Sequence, residues 1–568
     1  MTEESIPAGP ISRRESLSVL AFCAACSIAA VIWSWQHEAM LNYGDAVAHL
    51  HIARRVFDSH QPRFSQLGSV WLPLPHILQI PFVQVYSWWA NGISGMIPSA
   101  LAYLAAGAGF YRLARRWLPR PCAMLALCFF ATNPNLLYLQ TTAMTEPLFL
   151  CETIWIALWL VEWRAGLDAN PLHARRLLCF IAAALIAAIF TRYDGWVIAL
   201  LAWVSIGIVL ASRRALRSRA FWLASILVVA APVAWFVYNA AAFGDWLYFL
   251  RGPYSAKAIE IRTSVPGFPP HPGWHNPWVA LIFFMKAAEL DAAAAAWGNV
   301  LLALSVLGTA YAWLTERSRA FAWALLLWLP VPFYAYSVAY GSVPIFLPVW
   351  WPHSWYNLRY GMELLPALAL GVGFGAQFIR AIMLKFKPRH LSGERLTLWL
   401  NWAVAFLMVV VNLNLLQMLR ERPLVYVEST KNIEARRSYE SQIPQALKAL
   451  IAQRPGSVIL METSVDPELV ALTGIPLRQT INESDLEIYK EALAAPAAHA
   501  DLVLAFDGDE IDQAVKAHPA RLTIVRRFSA PGQPSGTLYI SDTGSALPQR
   551  AKLNKPTCSV VASGMEIS

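Results

Sequence analysis

Apolar residues are gathered into runs long enough to cross a bilayer, and polar residues into the short gaps between them. A spanning helix needs about 20 mostly apolar residues. Eleven runs approach that length: 16–35, 93–113, 122–139, 146–161, 177–190, 196–211, 220–241, 295–314, 320–340, 362–384 and 396–419. The pattern predicts a polytopic α-helical membrane protein with about 11 transmembrane helices. The segment 72–89 is also apolar, but Pro73, Pro75 and Pro81 fit an interfacial or re-entrant piece better, because broken backbone in lipid leaves polar groups unpaired. Near residue 421 the pattern changes. Short apolar runs at 457–461, 501–506, 522–528 and 537–541 predict strands, and 443–453, 485–493 and 510–517 predict helices. Residues 421–542 therefore read as a small α/β domain, 543–568 as a disordered tail and 1–15 as a cytoplasmic tail.

Composition and charge agree with this division. Of the 568 residues 57% are hydrophobic and 14% charged, more apolar surface than one soluble core hides. The net charge of +9 does not indicate nucleic acid, because the arginines and lysines sit in short clusters between apolar runs. Arg13 and Arg14, Arg112 to Arg120, Arg164 to Arg176, Arg213 to Arg219, Arg317 and Arg319, and Lys385 to Arg395 fall on one side of the predicted membrane. By the positive-inside rule that side is the cytoplasm. The segments 37–91, 140–146, 191–195, 243–294 and 341–360, and everything after 419, are then expected on the outer face. Six of the seven cysteines, including the Cys23 and Cys26 pair, lie in apolar segments and read as packing residues; Cys558 lies in the tail.

The chemically suggestive residues all fall on that outer face. Asp45 follows the first run in YGDAVAHLH, one helical turn before His49. It suits a helix cap and also a general base, and Asp45 with His49 is the one pair in this stretch that a divalent cation would use. Glu146, in TTAMTEPLF, is either a first-turn carboxylate favoured by the helix dipole or a functional acid at the membrane edge. Asp194 sits beside Arg192 in TRYDGW, an arrangement that also makes a plain interfacial ion pair. His353, Arg359 and Tyr360 cluster in WWPHSWYNLRYGMELLP. Arg359 is suited to phosphate by its planar fork, and to lipid headgroups by the length of its stem. Arg251 and Lys257, in the long segment 243–294, are further phosphate candidates. No P-loop, dinucleotide fingerprint, GxSxG or HExxH stands in a supporting context.

The order of these features, GDAVAHLHIAR, then TTAMTEPLF, TRYDGW and YNLRYGMELLP, resembles the integral-membrane glycosyltransferases of the C superfamily (GT-C fold). That group includes protein O-mannosyltransferases, lipid A aminoarabinose transferases and oligosaccharyltransferases. The resemblance covers most of 16–419 and does not reach the terminal α/β domain. It implies that Asp45 matches the outer-loop acid associated with acceptor activation or metal binding, and that Glu146 matches a second acidic position. Asp45 with His49 departs from the paired Asp-Glu of protein mannosyltransferases, and no WWD-type motif follows the last run, which argues against protein O-mannosylation and against transfer of a glycan to Asn. The expected activity is transfer of a sugar from a polyprenyl-phosphate donor to a lipid, glycan or protein acceptor, with inversion. Asp45 serves as base in this reading, and Arg359, Lys257 and Arg251 hold the phosphate. The expected location is the bacterial inner membrane, N-terminus inside and C-terminal domain outside, with membrane lipids as surroundings and no nucleic acid. A flippase for lipid-linked glycans is the alternative; polar groups on one face and the lack of an internal repeat speak against it.

Overall fold

The computed structural model describes residues 11–216, 218–263, 267, 269–316, 320–386, 393–464 and 466–542. Arg217, Arg317, Arg319, Lys387 and Arg389, most of the N-terminal tail and the tail 543–568 lie outside the described residues. The chain forms two compact units, one of residues up to 437 apart from 59–61, the other of 59–61 with residues from 438 onward.

The first unit is helical. Among the described residues nine helices are long and apolar enough to cross a membrane, from Arg13–Gln36 to a continuous stretch Arg395–Glu434. Two expected spans differ from the pattern. The run 122–139 divides into Arg120–Ala131 and Pro134–Leu139, because Asn133 starts a new helix by accepting from the backbone N–H groups of Asn135 and Leu136, and Pro134 supplies no N–H to continue the old one. The run at 146–161 extends to a 24-residue helix, Glu146–Ala169, whose buried face carries Glu146, Glu152 and Glu162. The proline-rich segment after Leu72 forms the ten-residue helix Leu74–Val83 and the five-residue Tyr86–Ala90, both too short to span. Inside the expected long loop stands a further helix, Pro277–Ala292, started by Asn276, whose side chain accepts from the Val279 N–H.

Close helix crossings rest on missing side chains. A Cβ on Gly308 would collide with the backbone of Gly371 and Gly375, so the Ala295–Thr315 and Leu365–Lys385 helices touch nearly backbone to backbone. Small residues at such crossings give membrane helices the van der Waals contact that apolar lipid does not drive. Gly361 does the same for the short turn Leu358–Leu364: an added Cβ would lie 2.6 Å from the Ala287 carbonyl carbon, the Ala288 nitrogen and Asp291 Oδ2. Asn357 enters this turn in the left-handed region, φ 56°. The turn is therefore pressed onto the Pro277–Ala292 helix, and it carries Arg359.

The helix Gly44–Arg55 packs on Leu74–Val83 through buried histidines. His49 Nδ1 lies 2.7 Å from His76 Nε2, and the His49 ring leans on Trp71, centroids 4.5 Å apart. His51 packs on Trp89 at 5.0 Å, and neither of its ring nitrogens has a hydrogen-bond partner among the described residues. Arg54, beneath the Trp89 ring at 4.6 Å, pairs with Asp58 at 2.8 Å and donates to the Val83 carbonyl.

The second unit is the expected small α/β fold, a five-stranded sheet in the order β2-β1-β3-β5-β4. The strands are β1 (Ile459–Leu460), β2 (Thr480–Ile481), β3 (Leu502–Phe506), β4 (Leu522–Phe528) and β5 (Gly536–Ser541). β1 pairs in parallel with β2 and β3, and β5 runs antiparallel between β3 and β4. β2 was not expected, since two residues are too few to show alternation. The boundary also differs from 421: residues 424–437, the first half of the helix Leu424–Gln453, belong to the first unit. There Ser429 meets the Tyr138 hydroxyl at 2.8 Å and the Asn135 side chain accepts from the Val425 N–H.

Two consequences are measurable. Burial pushes His49 down to about 4, with Asp45 opposing, and His51 down to about 3, with Arg55 and Arg54 adding to the effect. Both then bind a proton more readily in the unfolded chain, so the stability they permit is complete above pH 6.5 and declines as pH falls toward 4. His51→Phe keeps the ring on Trp89 and should abolish roughly 2 kcal/mol of the loss at pH 5. Thermal unfolding of the detergent-solubilised protein at pH 7.5 and 5 checks this; an unchanged difference between the two would refute it. Gly361→Ala should cost about 1–3 kcal/mol, because backbone atoms must move to admit the methyl group; a melting temperature equal to wild type would show that the turn is not pressed against its neighbour.

Candidate active site

Three carboxylates from distant parts of the sequence converge on one guanidinium. Asp45 stands in the first turn of Gly44–Arg55, where the helix dipole favours an anion; the N-cap position belongs to Tyr43, which makes no side-chain cap. Glu146 opens Glu146–Ala169, placed there by the break at Asn133 and the buried turn 140–145. Gly95 lets that turn lie against the Ile93–Ala114 helix, since a Cβ would strike Ala143. Glu428 comes from the Leu424–Gln453 helix.

Arg359 meets each carboxylate with a different nitrogen. Nη2 lies 2.5 Å from Asp45 Oδ2, Nε 3.1 Å from Glu146 Oε1 and Nη1 3.3 Å from Glu428 Oε1. The Tyr43 and Tyr360 rings flank the guanidinium at 5.2 and 5.3 Å. The Tyr43 hydroxyl also sits 2.8 Å from the Val425 carbonyl and 3.2 Å from Glu428 Oε2, fixing that carboxylate. Side-chain exposure separates the three anions: 1% for Glu146 and 3% for Glu428, but 42% for Asp45. The site opens on the Asp45 side.

A second guanidinium shares Glu146. Arg192 reaches Glu363 at 2.8 Å, Asp194 at 3.4 Å and Glu146 at 3.5 Å, and donates to the Tyr334 hydroxyl at 2.9 Å. Tyr360 lies between the two arginines, 5.1 Å from Arg192. Asp291 lies nearby, with both carboxylate oxygens buried and without hydrogen-bond partners among the described residues. Burial pushes it well above the usual carboxylate range, and the charges of Glu428 and Glu146 add to the effect. Two arginines facing five carboxylates in so dry a place cost desolvation that ion pairing offsets only in good geometry. Such a network is weak evidence for stability and stronger evidence for a site that handles charge.

The structure thus brings together Asp45, Glu146, Asp194, Arg359 and Tyr360. It places the other candidates elsewhere. Arg251 pairs with Asp245 at 3.7 Å and Lys257 with Glu260 at 2.7 Å, both mostly exposed, and neither touches Arg359. His353 is exposed, its Nδ1 3.1 Å from the Pro348 carbonyl. Of the two residues expected to share a divalent cation, Asp45 lies against Arg359 and His49 Nδ1 against His76. Among the described residues no group of three or more His, Cys, Asp or Glu is set to hold a metal ion. Glu428, Glu363, Tyr43 and Tyr334 were not read from the sequence. Glu363 stands one turn after Arg359 in the same motif and was legible by spacing; Glu428, past the last apolar run, looks like any solvated helix residue.

No family model matches the chain. It is 24% identical over 371 residues to the undecaprenyl phosphate-alpha-4-amino-4-deoxy-L-arabinose arabinosyl transferase 2 of Proteus mirabilis (strain HI4320). That match covers 58% of this chain and 61% of the relative, so the chain spans about three fifths of the length of the curated relative it matches. Among solved structures, ArnT from Cupriavidus metallidurans bound to undecaprenyl phosphate superposes with a TM-score of 0.52 at 13% identity, over 93% of this chain and 99% of that one. The apo state of the same ArnT gives 0.51 at 14% identity, over 91% and 97%. The fold is the GT-C fold that ArnT has, and the chain is similar to the lipid A aminoarabinose transferases.

Proposed function

We propose that this protein transfers a sugar from a polyprenyl-phosphate donor to an acceptor on the extracytoplasmic face of a bacterial inner membrane. The observation that carries the reading is Arg359 held by Asp45, Glu146 and Glu428 with its open side at Asp45. The similar ArnT structure is bound to undecaprenyl phosphate, and the Proteus mirabilis relative carries the same lipid phosphate in its name; both support the donor class.

The chemistry needs few groups. The acceptor's oxygen or nitrogen bonds to the sugar's anomeric carbon, the bond from that carbon to the phosphate oxygen breaks, and the electron pair leaves with the carrier phosphate. Because that phosphate is already a good leaving group, a base for the acceptor matters more than an acid for the donor. Asp45, the one accessible carboxylate of the three, takes the acceptor's proton on the face opposite the phosphate, which inverts the anomeric centre. Arg359 stabilises the growing phosphate charge in a water-poor setting, where a fixed fork is worth most. Glu146 and Glu428 hold the fork, and Asp194 acts through Arg192. Tyr360, beside the Arg359 guanidinium, is a sugar or acceptor contact, whereas His353, Arg251 and Lys257, engaged elsewhere, take no part in this step.

The direct test supplies purified protein in nanodiscs with undecaprenyl-phosphate-linked 4-amino-4-deoxy-L-arabinose and hexoses, adds lipid A and a glycolipid and protein extract of the native envelope as acceptors, and follows acceptor-dependent release of the free carrier. Asp45→Asn should cut turnover about 10²–10⁴-fold without raising the donor KM. Arg359→Lys, which keeps the charge and loses the fork, should lower it at least about 10²-fold. Near-wild-type turnover in Asp45→Asn would remove Asp45 as the base, and failure of folded wild type to consume any of these donors would overturn the reading.

A further inference from the structure

We propose that Asp45 and the donor phosphate compete for Arg359, so that donor binding itself releases the base and the returning carboxylate expels the spent carrier. This rests on the glycosyl-transfer reading above. Arg359 commits each of its three nitrogens to a different carboxylate, and the three arms are not equivalent. Glu146 is nearly inaccessible and is also reached by Arg192; Glu428 is nearly inaccessible and lies against the Tyr43 hydroxyl. Neither can leave without stranding a charge away from water. Asp45 is 42% exposed, and Arg359 is its one hydrogen-bond and ion-pair partner among the described residues. An anion approaching from the open side therefore meets Nη2, and the arm it can displace is Asp45.

The exchange is balanced in charge. A phosphodiester donor brings one negative charge to the guanidinium as one carboxylate departs, so the buried network keeps its net charge while the donor enters. With Nη2 taken by a phosphate oxygen, Asp45 swings free on the first turn of its helix, beside the sugar that the same phosphate carries. After transfer Asp45 holds the acceptor's proton and has no charge with which to reclaim Arg359. Loss of that proton to water restores the carboxylate, which then competes with the carrier phosphate for Nη2. The Asp45–Arg359 ion pair thus couples phosphate occupancy to the availability of the base.

A double-mutant cycle on carrier binding tests this. Undecaprenyl phosphate is titrated into wild type, Asp45→Asn, Arg359→Gln and the double variant in nanodiscs, read by native mass spectrometry, with Glu428→Gln as control. Competition predicts that Asp45→Asn binds the carrier about tenfold tighter than wild type, that this gain vanishes in the Arg359→Gln background, and that Glu428→Gln gives no gain. A gain of equal size in both backgrounds, the mark of through-space repulsion, or no gain in either, would overturn the proposal while leaving the donor assignment intact. Wild type that does not bind the carrier phosphate at all would overturn both. Should Arg359→Gln fail to fold, Arg359→Met, similar in length and uncharged, completes the cycle, with a gain as large as in the wild-type background counting against competition.

Discussion

A guanidinium enclosed by three carboxylates is expensive to bury and worthless if any one partner is misplaced. That constraint explains much of the architecture around Arg359. Glu146 must begin a helix at the right depth, which the Asn133 break and the buried turn 140–145 secure. Arg359 must sit in a turn forced onto the Pro277–Ala292 helix, which the absence of a side chain at Gly361 permits. Glu428 must return from the far end of the first unit, and Tyr43 holds it there. Each support is ordinary packing or hydrogen bonding; their joint product is a fixed fork with one exposed arm.

Sharing spreads the cost of so much buried charge. Glu146 Oε1 serves both arginines, and Tyr360 lies over both guanidinium groups, so the two halves of the network are oriented by common atoms. The pairing that looked like a separate interfacial contact, Arg192 with Asp194, is one edge of this network. The same sharing makes single charge removals costly, because each leaves an unpaired partner away from water.

The membrane character, nine of the eleven spans, the small α/β domain with four of its five strands, and the chemical leaning of Asp45, Glu146 and Arg359 were legible in the chain order. Hydropathy records them directly: a spanning helix must be apolar over its whole length, and a carboxylate or arginine at its end stands out against that background. Less legible was everything that depends on short elements or on polar surface. The split at Asn133 and the two-residue β2 lack a run long enough to show a period, and the 16-residue helix Pro277–Ala292, with Lys286, Glu289 and Asp291 in its second half, falls short of a spanning run.

The sequence alone determined which residues are chemically capable and that they cluster near span ends, because burying charge in lipid is too costly to be scattered. Only the tertiary structure decided which of them meet. Asp45 and Arg359 are separated by 314 positions yet lie 2.5 Å apart, while Arg251 and Lys257, equally basic on paper, turn to carboxylates of their own segment. Glu428 was hidden for the same reason. Nothing in a polar helix marks which face is solvated, and the helix acquires a buried face only when Tyr43, Arg359 and Tyr138 are folded against it.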